Sequence, residues 1–425
     1  MRKMIDSGVE WLGDIPETWD LVQLSSLFSE HKNKNTGMQS NNLLSLSYGN
    51  IIRKDINTTD GLLPESFEGY NVIDDGDIVL RLTDLQNDQR SLRVGLCHER
   101  GIVTSAYVTL RKRNPAMNSQ FFYYLIHSYD VRKGFYGMGA GVRQGLNFAG
   151  VRKIMLTLPS ADEQAAIADF LGKKTEQVDT LIANVQAQIE KLKAYKLSVI
   201  TEVVTRGLDP TVPMKDSGVE WIGEIPEEWG VKPLLREIDA IVDYRGKTPE
   251  KVDEGILLVT ARNIKDGRID YSISREYVRE LEYDEIMHRG KVSIGDVLFT
   301  TEAPLGAVAN ADRTDFALAQ RIIKFTTKNT LNPYFLKYWM LSSIFQQHLK
   351  SYATGSTATG IKASKLCLLQ LVHPPISVQN DIVFELDRES DQIEQLIAIK
   401  QAKIEKLEQY KKSLIYEYVT GKKEV

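Results

Sequence analysis

The chain repeats itself. Residues 6–19 read DSGVEWLGDIPETW and residues 216–229 read DSGVEWIGEIPEEW, so the copies differ only by Leu/Ile, Asp/Glu and Thr/Glu. A chain with such a match is two copies of one unit in tandem, and its fold must be a fold made twice. A second match lies further on, IEKLKAYK at 189–196 against IEKLEQYK at 404–411. At the same offset Leu181-Ile182-Ala183 matches Leu396-Ile397-Ala398, Pro159 matches Pro374, and Gln164 matches Gln379. Weaker echoes fall between. Gly76-Asp77-Ile78-Val79-Leu80 resembles Gly295-Asp296-Val297-Leu298-Phe299, and Tyr48-Gly49-Asn50-Ile51 resembles Ala261-Arg262-Asn263-Ile264. The ends of the unit are alike and its interior has diverged.

Each copy ends in a heptad pattern. The first seam is Val178, Ile182, Val185, Ile189, Leu192, Val199 and Val203, with a polar interruption at Lys196. The second is Ile393, Ile397, Ile404, Leu407, Leu414 and Tyr418, interrupted at Lys400 and Lys411. Alternating steps of three and four, without Pro or interior Gly, predict helices of about 40 residues, roughly 60 Å each. The helices either pack on their own domains or pair with each other. A narrow seam this long wants a partner helix. The first helix ends near Arg206-Gly207, and the second domain starts within about ten residues. A domain of about 150 residues is too small to carry the chain back for a parallel start. The expectation is therefore an antiparallel intramolecular coiled coil, with two similar units about a pseudo-twofold axis at opposite ends of a rod.

Between the helices the pattern is mixed α/β (α+β). Segments 43–48, 77–82, 106–110, 256–260 and 297–301 read as short strands bounded by Gly, Asp and Asn. Helices are expected at Ser119–Ser128 and Pro333–Ser342, the latter with Asn332 as cap and Pro333 at its first position. The predicted domains are 1–157, a helical spacer 158–210, a second domain 211–372 and a helical spacer 373–425.

Composition narrows the class. Hydrophobic content of 42% and charged content of 26% are those of a globular protein. No apolar run approaches the roughly 20 residues that span a bilayer, and the first residues have no signal-peptide core. Cys97 and Cys367 lack CxxC spacing, which points to a reducing cytoplasm and away from a disulfide framework or zinc ribbon. A net charge of −4 argues against coating nucleic acid nonspecifically but leaves room for a concentrated basic face.

Such a face has candidates. Gly-rich loops precede the last strand of each domain, at 137–147 and 354–364. Small residues let a backbone approach phosphate, and Arg143, Gln144 and Asn147 are side chains able to read base edges. Thr357, Lys362 and Ser364 are the polar candidates of the second loop. The first domain also carries Arg81, Arg90, Arg93, Arg100, Arg111, Lys112 and Arg113; the second carries Arg245, Lys247, Arg262, Lys265 and Arg268. From these, Arg81, Arg90, Arg93, Arg245, Lys247, Arg262 and Lys265 are taken as candidates for DNA contact. The alternatives are ordinary flexible loops and solvated charge runs.

Catalytic motifs fail on inspection. Gly246-Lys247-Thr248 lacks the upstream glycine of a P-loop, since Ile241 stands there. Asn332-Pro333-Tyr334-Phe335 lacks the second proline of an amino-methyltransferase motif. Asp20, Glu30 and Lys32 fit a nuclease-like pattern only at a spacing common by chance. The histidines, His31, His98, His127, His288, His348 and His373, form no ligand cluster in sequence. Neither catalytic nor metal-binding residues are expected.

The repeated Ser-Gly-Val-Glu-Trp-(Leu/Ile)-Gly-(Asp/Glu)-Ile-Pro-Glu-x-Trp opening resembles the specificity subunit of type I restriction–modification systems. So does the Pro-x4-Gln element leading into a long helix with Ile-Glu-Lys-Leu. The resemblance covers nearly the whole chain. It implies two target recognition domains, each reading half of a bipartite site in double-stranded DNA, with the helical spacer fixing the gap. It implies docking of two methylation subunits, which bind S-adenosylmethionine, and of restriction (motor) subunits, which use ATP and Mg²⁺; the chain itself would hold no cofactor. The second copy departs slightly, with Gln379-Asn380 read in place of Glu163-Gln164. Two other classes stay open at this point: a coiled-coil scaffold that binds only protein, and a stand-alone methyltransferase or nuclease.

Overall fold

A computed structural model of the chain describes every residue except 1, 58–63, 65, 86, 87, 89, 137, 139–144, 245–248 and 355–358. The chain forms two compact units, one from residues 1–185 with 402–425 and the other from residues 186–401. Each unit is a domain with part of both long helices.

The domains are built alike. In the first, an antiparallel sheet runs in the order Phe28–Glu30, Val108–Lys112, Ile78–Leu80, Val94–Leu96. In the second the order is Ile238–Asp243, Ile322–Thr327, Val297–Thr300, Val308–Asn310. The third strand of each order, Ile78–Leu80 and Val297–Thr300, is apolar-rich and buried along its length, as a strand covered on both faces requires. The Gly-Asp echo is the entry to the third strand of each order. Gly76 and Gly295 take φ of 84° and 90°, open without strain only to glycine. Asp77 then accepts from Arg111 Nε on the neighbouring strand at 2.8 Å. Asp296 accepts from Lys324 Nζ at 2.9 Å and Thr326 Oγ1 at 2.7 Å, also on the neighbouring strand.

A helix covers each sheet, Ser119–Val131 in the first unit and Pro333–Leu341, continued by Ser343–Ser351, in the second. Asn118 caps the first by accepting from Phe121 N at 3.0 Å. Asn332 caps the second by accepting from Tyr334 N at 2.8 Å, with Pro333 at the first position, as the sequence predicts. The Pro-x4-Gln element ties these caps to the long helices. Gln164 accepts from Asn118 N at 3.0 Å and donates to Pro159 O at 2.9 Å. Gln379 accepts from Asn332 N at 2.8 Å and donates to Pro374 O at 2.8 Å. Gln379 thus stands where Gln164 stands, and the departure read at Gln379-Asn380 is a one-position misreading. Val378 replaces Glu163.

The long helices are Ala161–Arg206 and Ile376–Val419. Their 46 and 44 residues make them about 69 and 66 Å long. All the seam residues are buried or half-buried: Val178, Ile182, Val185, Ile189, Leu192, Val199 and Val203, and Ile393, Ile397, Ile404, Leu407, Leu414 and Tyr418. In each unit the two helices run antiparallel. In the second, Lys400 Nζ reaches Gln188 Oε1 at 2.6 Å and Lys196 Nζ reaches Glu394 Oε1 at 2.5 Å. In the first, Lys411 Nζ reaches Asp179 at 2.7 Å, and Tyr418 packs on Phe170 with ring centroids 4.6 Å apart. The three polar interruptions of the heptads are the three lysines that bond across the pair. Lys196 and Lys411 are equivalent in the repeat, as are Asp179 and Glu394, so one ion pair occurs in each unit with the helices exchanging roles.

The repeated opening motif also crosses over. In the second unit Ile222, Ile225 and Trp229 share a core with Ile200 and Val204, at the end of the first long helix. In the first unit Leu12, Ile15 and Trp19 share a core with Leu414, Ile415 and Val419, at the end of the second. There Tyr416 Oη donates to Leu12 O at 3.0 Å, Lys422 Nζ donates to Asp14 O at 2.9 Å, and Arg2 N donates to Glu424 at 3.2 Å. A glycine ends each helix beneath the motif tryptophan, Gly207 at φ 82° and Gly421 at φ 73°. A Cβ would lie 3.3 Å from Trp229 at Gly207, and 2.4 Å from the Pro16 ring at Gly421.

Two outcomes follow. Gly421→Ala combines a positive φ with a clash and lowers unfolding free energy by about 2–4 kcal/mol in urea titrations, more than Gly207→Ala does. Gln164→Ala and Gln379→Ala each cost about 1–3 kcal/mol, because each leaves a part-buried backbone amide and a buried carbonyl unpaired; a loss below about 0.5 kcal/mol would show that the clip is decorative.

Candidate nucleic-acid interface

Three segments converge on one face in each unit. In the first unit they are a hairpin turn at 47–50, the loop at 81–93 and the two ends of the Gly-rich loop. The turn joins strands Leu44–Ser47 and Asn50–Arg53. Tyr48 and Gly49 both have positive φ, 46° and 83°, the geometry of a tight two-residue hairpin. The Tyr48 side chain is 72% exposed, and a Cβ on Gly49 would lie 3.2 Å from Leu92 in the neighbouring loop. Leu146 N donates to Leu82 O at 2.8 Å, which ties the far end of the Gly-rich loop to the same segment.

Arg93 holds this loop together. It is 0% exposed. Its guanidinium donates to the carbonyls of Thr83 at 2.7 Å, Arg81 at 3.2 Å and Asp84 at 3.3 Å, and to that of Asp88. Its Nε donates to Tyr136 Oη at 3.1 Å, at the near end of the Gly-rich loop. Its backbone N donates to Asp130 at 2.6 Å. Burial pushes the Asp130 carboxyl up to about 6, opposed by that hydrogen bond and the Arg93 charge. Hydrogen bonds from the Ser91 hydroxyl and amide hold Asp88 at about 2, so it stays ionised beside Arg81, 3.9 Å away. The assignment of Arg93 to DNA contact is therefore wrong: all its donors are spent inside the protein. Arg81 is half-exposed and Arg90 exposed on the loop Arg93 shapes. Asn147 accepts from Gly150 N at 3.1 Å and caps the turn Phe148–Val151, so its carbonyl oxygen is committed.

In the second unit the same three places are 260–264, 301–307 and the ends of the second Gly-rich loop. Ile361 N donates to Thr301 O at 3.0 Å, the counterpart of the Leu146–Leu82 bond. Arg262 sits on the short turn Ala261–Asn263, which a Thr260–Asn263 capping box locks; Asn263 is fully buried, with its amide donating to Asp270 O and Ser274 O. A cleft of about 190 Å³ opens here, with Arg262, Lys251, Thr260, Ala303 and Arg321 among its lining. Lys265, Lys362 and Ser364 are exposed. Arg143, Gln144, Arg245, Lys247 and Thr357 lie outside the described residues.

Much of the basic run is framework. Arg111 is bound by Asp74 and Asp77, which raise its pKa, the Asp77 hydrogen bond most of all. Arg113 donates to Ser25 O and Phe28 O, and Lys112 to Pro115 O and Met117 O. Arg268 pairs with Asp391 and Glu394. His31, Asp74 and Asp77 do come together, within 4.8 Å of one another, a grouping that sequence spacing hides. The Arg111 guanidinium already serves both carboxylates, which leaves little ligand character for a metal. Tyr48 and Arg321 also lie on these faces, and sequence reasoning did not select them, because neither lies in a Gly-rich loop or a charge run.

Comparison with known proteins agrees with this layout. Residues 250–409 match the model of the type I restriction modification DNA specificity domain. The chain is 24% identical over 423 residues to the type I restriction enzyme MjaVIII specificity subunit of Methanocaldococcus jannaschii, across 96% of this chain and 93% of that one. It is 23% identical over 329 residues to the EcoBI specificity subunit of Escherichia coli, across 74% of this chain and 68% of that one. A chain solved in work on complex assembly and conformational transition of the type I R-M system shares the fold with TM-score 0.65 at 14% identity, over 95% of this chain and 98% of that one. Residues 250–409 thus carry the likeness to a type I restriction modification DNA specificity domain, and along nearly its whole length the chain is similar to specificity subunits of type I restriction enzymes.

Proposed function

We propose that the chain reads an asymmetric bipartite DNA site, one half with each unit, and has no catalytic activity of its own. One observation carries this reading. The two units share a scaffold down to single hydrogen bonds, such as Leu146–Leu82 and Ile361–Thr301, yet present different side chains on it. Tyr48, Arg81 and Arg90 occupy one face; Arg262, Arg321 and Lys362 occupy the other. A common frame with unlike faces suits two unlike half-sites. The long helices set the gap between the half-sites. Two methylation subunits dock along them, supported by Leu181 and Leu396, equivalent in the repeat and each 48% exposed. S-adenosylmethionine belongs to those subunits, and ATP and Mg²⁺ to the restriction subunits.

Inserting one heptad at matched positions in both helices, between Ile189 and Leu192 and between Ile397 and Ile404, keeps the seam in phase. Mapping methylated sites in cells carrying this variant should give a longer gap and unchanged half-sites; altered half-site sequences would sink the ruler. Binding of the full complex to its site should fall steeply between 50 and 200 mM salt, by about 10³-fold or more if six phosphates are contacted. Arg90→Ala should weaken binding without moving the unfolding midpoint. Arg93→Ala should do the reverse first, lowering stability by about 3 kcal/mol as buried carbonyls lose their donor.

A further inference from the structure

Arg321 lies between the strands Phe316–Leu318 and Ile322–Thr327, on the cleft that Arg262 also lines. Its φ is 81°, a left-handed value that an arginine adopts only when its surroundings impose it. The imposition is visible. The buried Thr301 donates to the Arg321 carbonyl twice, from its backbone N at 2.9 Å and from Oγ1 at 3.2 Å. The side chain is held as well. The Glu302 carboxylate forms an ion pair with it, 2.9 Å from Nε, and the Glu302 backbone is bridged in turn to Gly360 at the end of the Gly-rich loop. The carboxylate beside Nε restrains the guanidinium by ion pairing and leaves the two terminal amines as a fork. That fork has no hydrogen-bond partner among the described residues, and the side chain is 47% exposed.

We propose that Arg321 is a base-reading residue of the second unit, presenting its fork to the O6/N7 edge of one guanine in that unit's half-site. Arginine on guanine is the commonest specific contact in the major groove, and a buttressed fork is suited to bidentate geometry rather than to a diffuse phosphate charge. Arg262 beside it, without ion pair or hydrogen bond among the described residues, supplies charge to hold the strand. Glu302 is a positioning residue. This assignment rests on the DNA-reading role proposed above.

The test uses the complex with its methylation subunits, the site mapped in cells, and duplexes with each base pair of that site changed in turn. Arg321→Gly removes the fork while relaxing the backbone, so it should fold with an unchanged or higher melting temperature. It should lose preference for one G·C pair in one half-site, about tenfold to hundredfold, and keep every other preference. Arg321→Lys should lose the same preference although it keeps the charge, and Glu302→Gln should lose part of it. Full discrimination in Arg321→Lys, or an equal loss for all duplexes in Arg321→Gly, would make Arg321 a phosphate contact and overturn the assignment. So would wild-type discrimination in Arg321→Gly. A wild-type complex with no two-part site would defeat the wider reading and this one with it.

Discussion

The structure depends on a lysine that cannot be buried alone. A cation in a helical seam has to find an acceptor on the partner helix or leave the seam. Lys196 finds Glu394, and Lys411 finds Asp179. The apolar seam residues give the helices a reason to pair but tolerate slippage, since one isoleucine packs much like another. The ion pairs do not tolerate it. They contribute little net energy at half-exposed positions, and their value is in choosing one register. That register decides which turn of one helix meets which turn of the other, and so where the Trp19 and Trp229 motifs find a helix end to cover.

The scaffold of each unit and its face obey different constraints. The Gly-Asp turns, the asparagine caps and the glutamine clips each satisfy backbone groups that would otherwise be buried unpaired. Any sequence with this frame must meet them, which is why they recur in both copies. The loops on the face answer only to what they touch. Each face has its own internal device: the buried Arg93, bonded to the carbonyls of Arg81, Thr83, Asp84 and Asp88, in the first, and the Thr301–Arg321–Glu302 network in the second.

Much of this was legible in the sequence, and the boundary is physical. Periodicity revealed the helices, because burial along a seam imposes its period on residue type. Strands at 78–80, 108–112, 256–259 and 297–300 and the Asn332 cap were legible for the same local reason. Long-range partnership was not. The string Pro-x4-Gln is visible, but its bond to a cap about 46 residues earlier is not. Arg93 and Arg90 look alike in a charge run; only the fold makes one internal and the other exposed. Arg321 carries no signal at all, since a left-handed backbone angle on arginine is set by Thr301 from another strand. Nor could the repeat reveal that each opening motif is completed by the helix end preceding it in space, which for the first copy comes from the far end of the chain.

That last feature sets an order of assembly during synthesis. Every residue of the second unit, 186–401, has been made before residues 402–425 exist. The first unit therefore waits, with Leu12, Ile15 and Trp19 lacking the part of their core that Leu414, Ile415 and Val419 supply, while the second unit already has all of its residues. Domains fold as their residues emerge, generally N-terminal first. Here the N-terminal domain is the last to complete its core, and its opening motif stays partly open to capture by chaperones or by a second copy until residues 402–425 arrive.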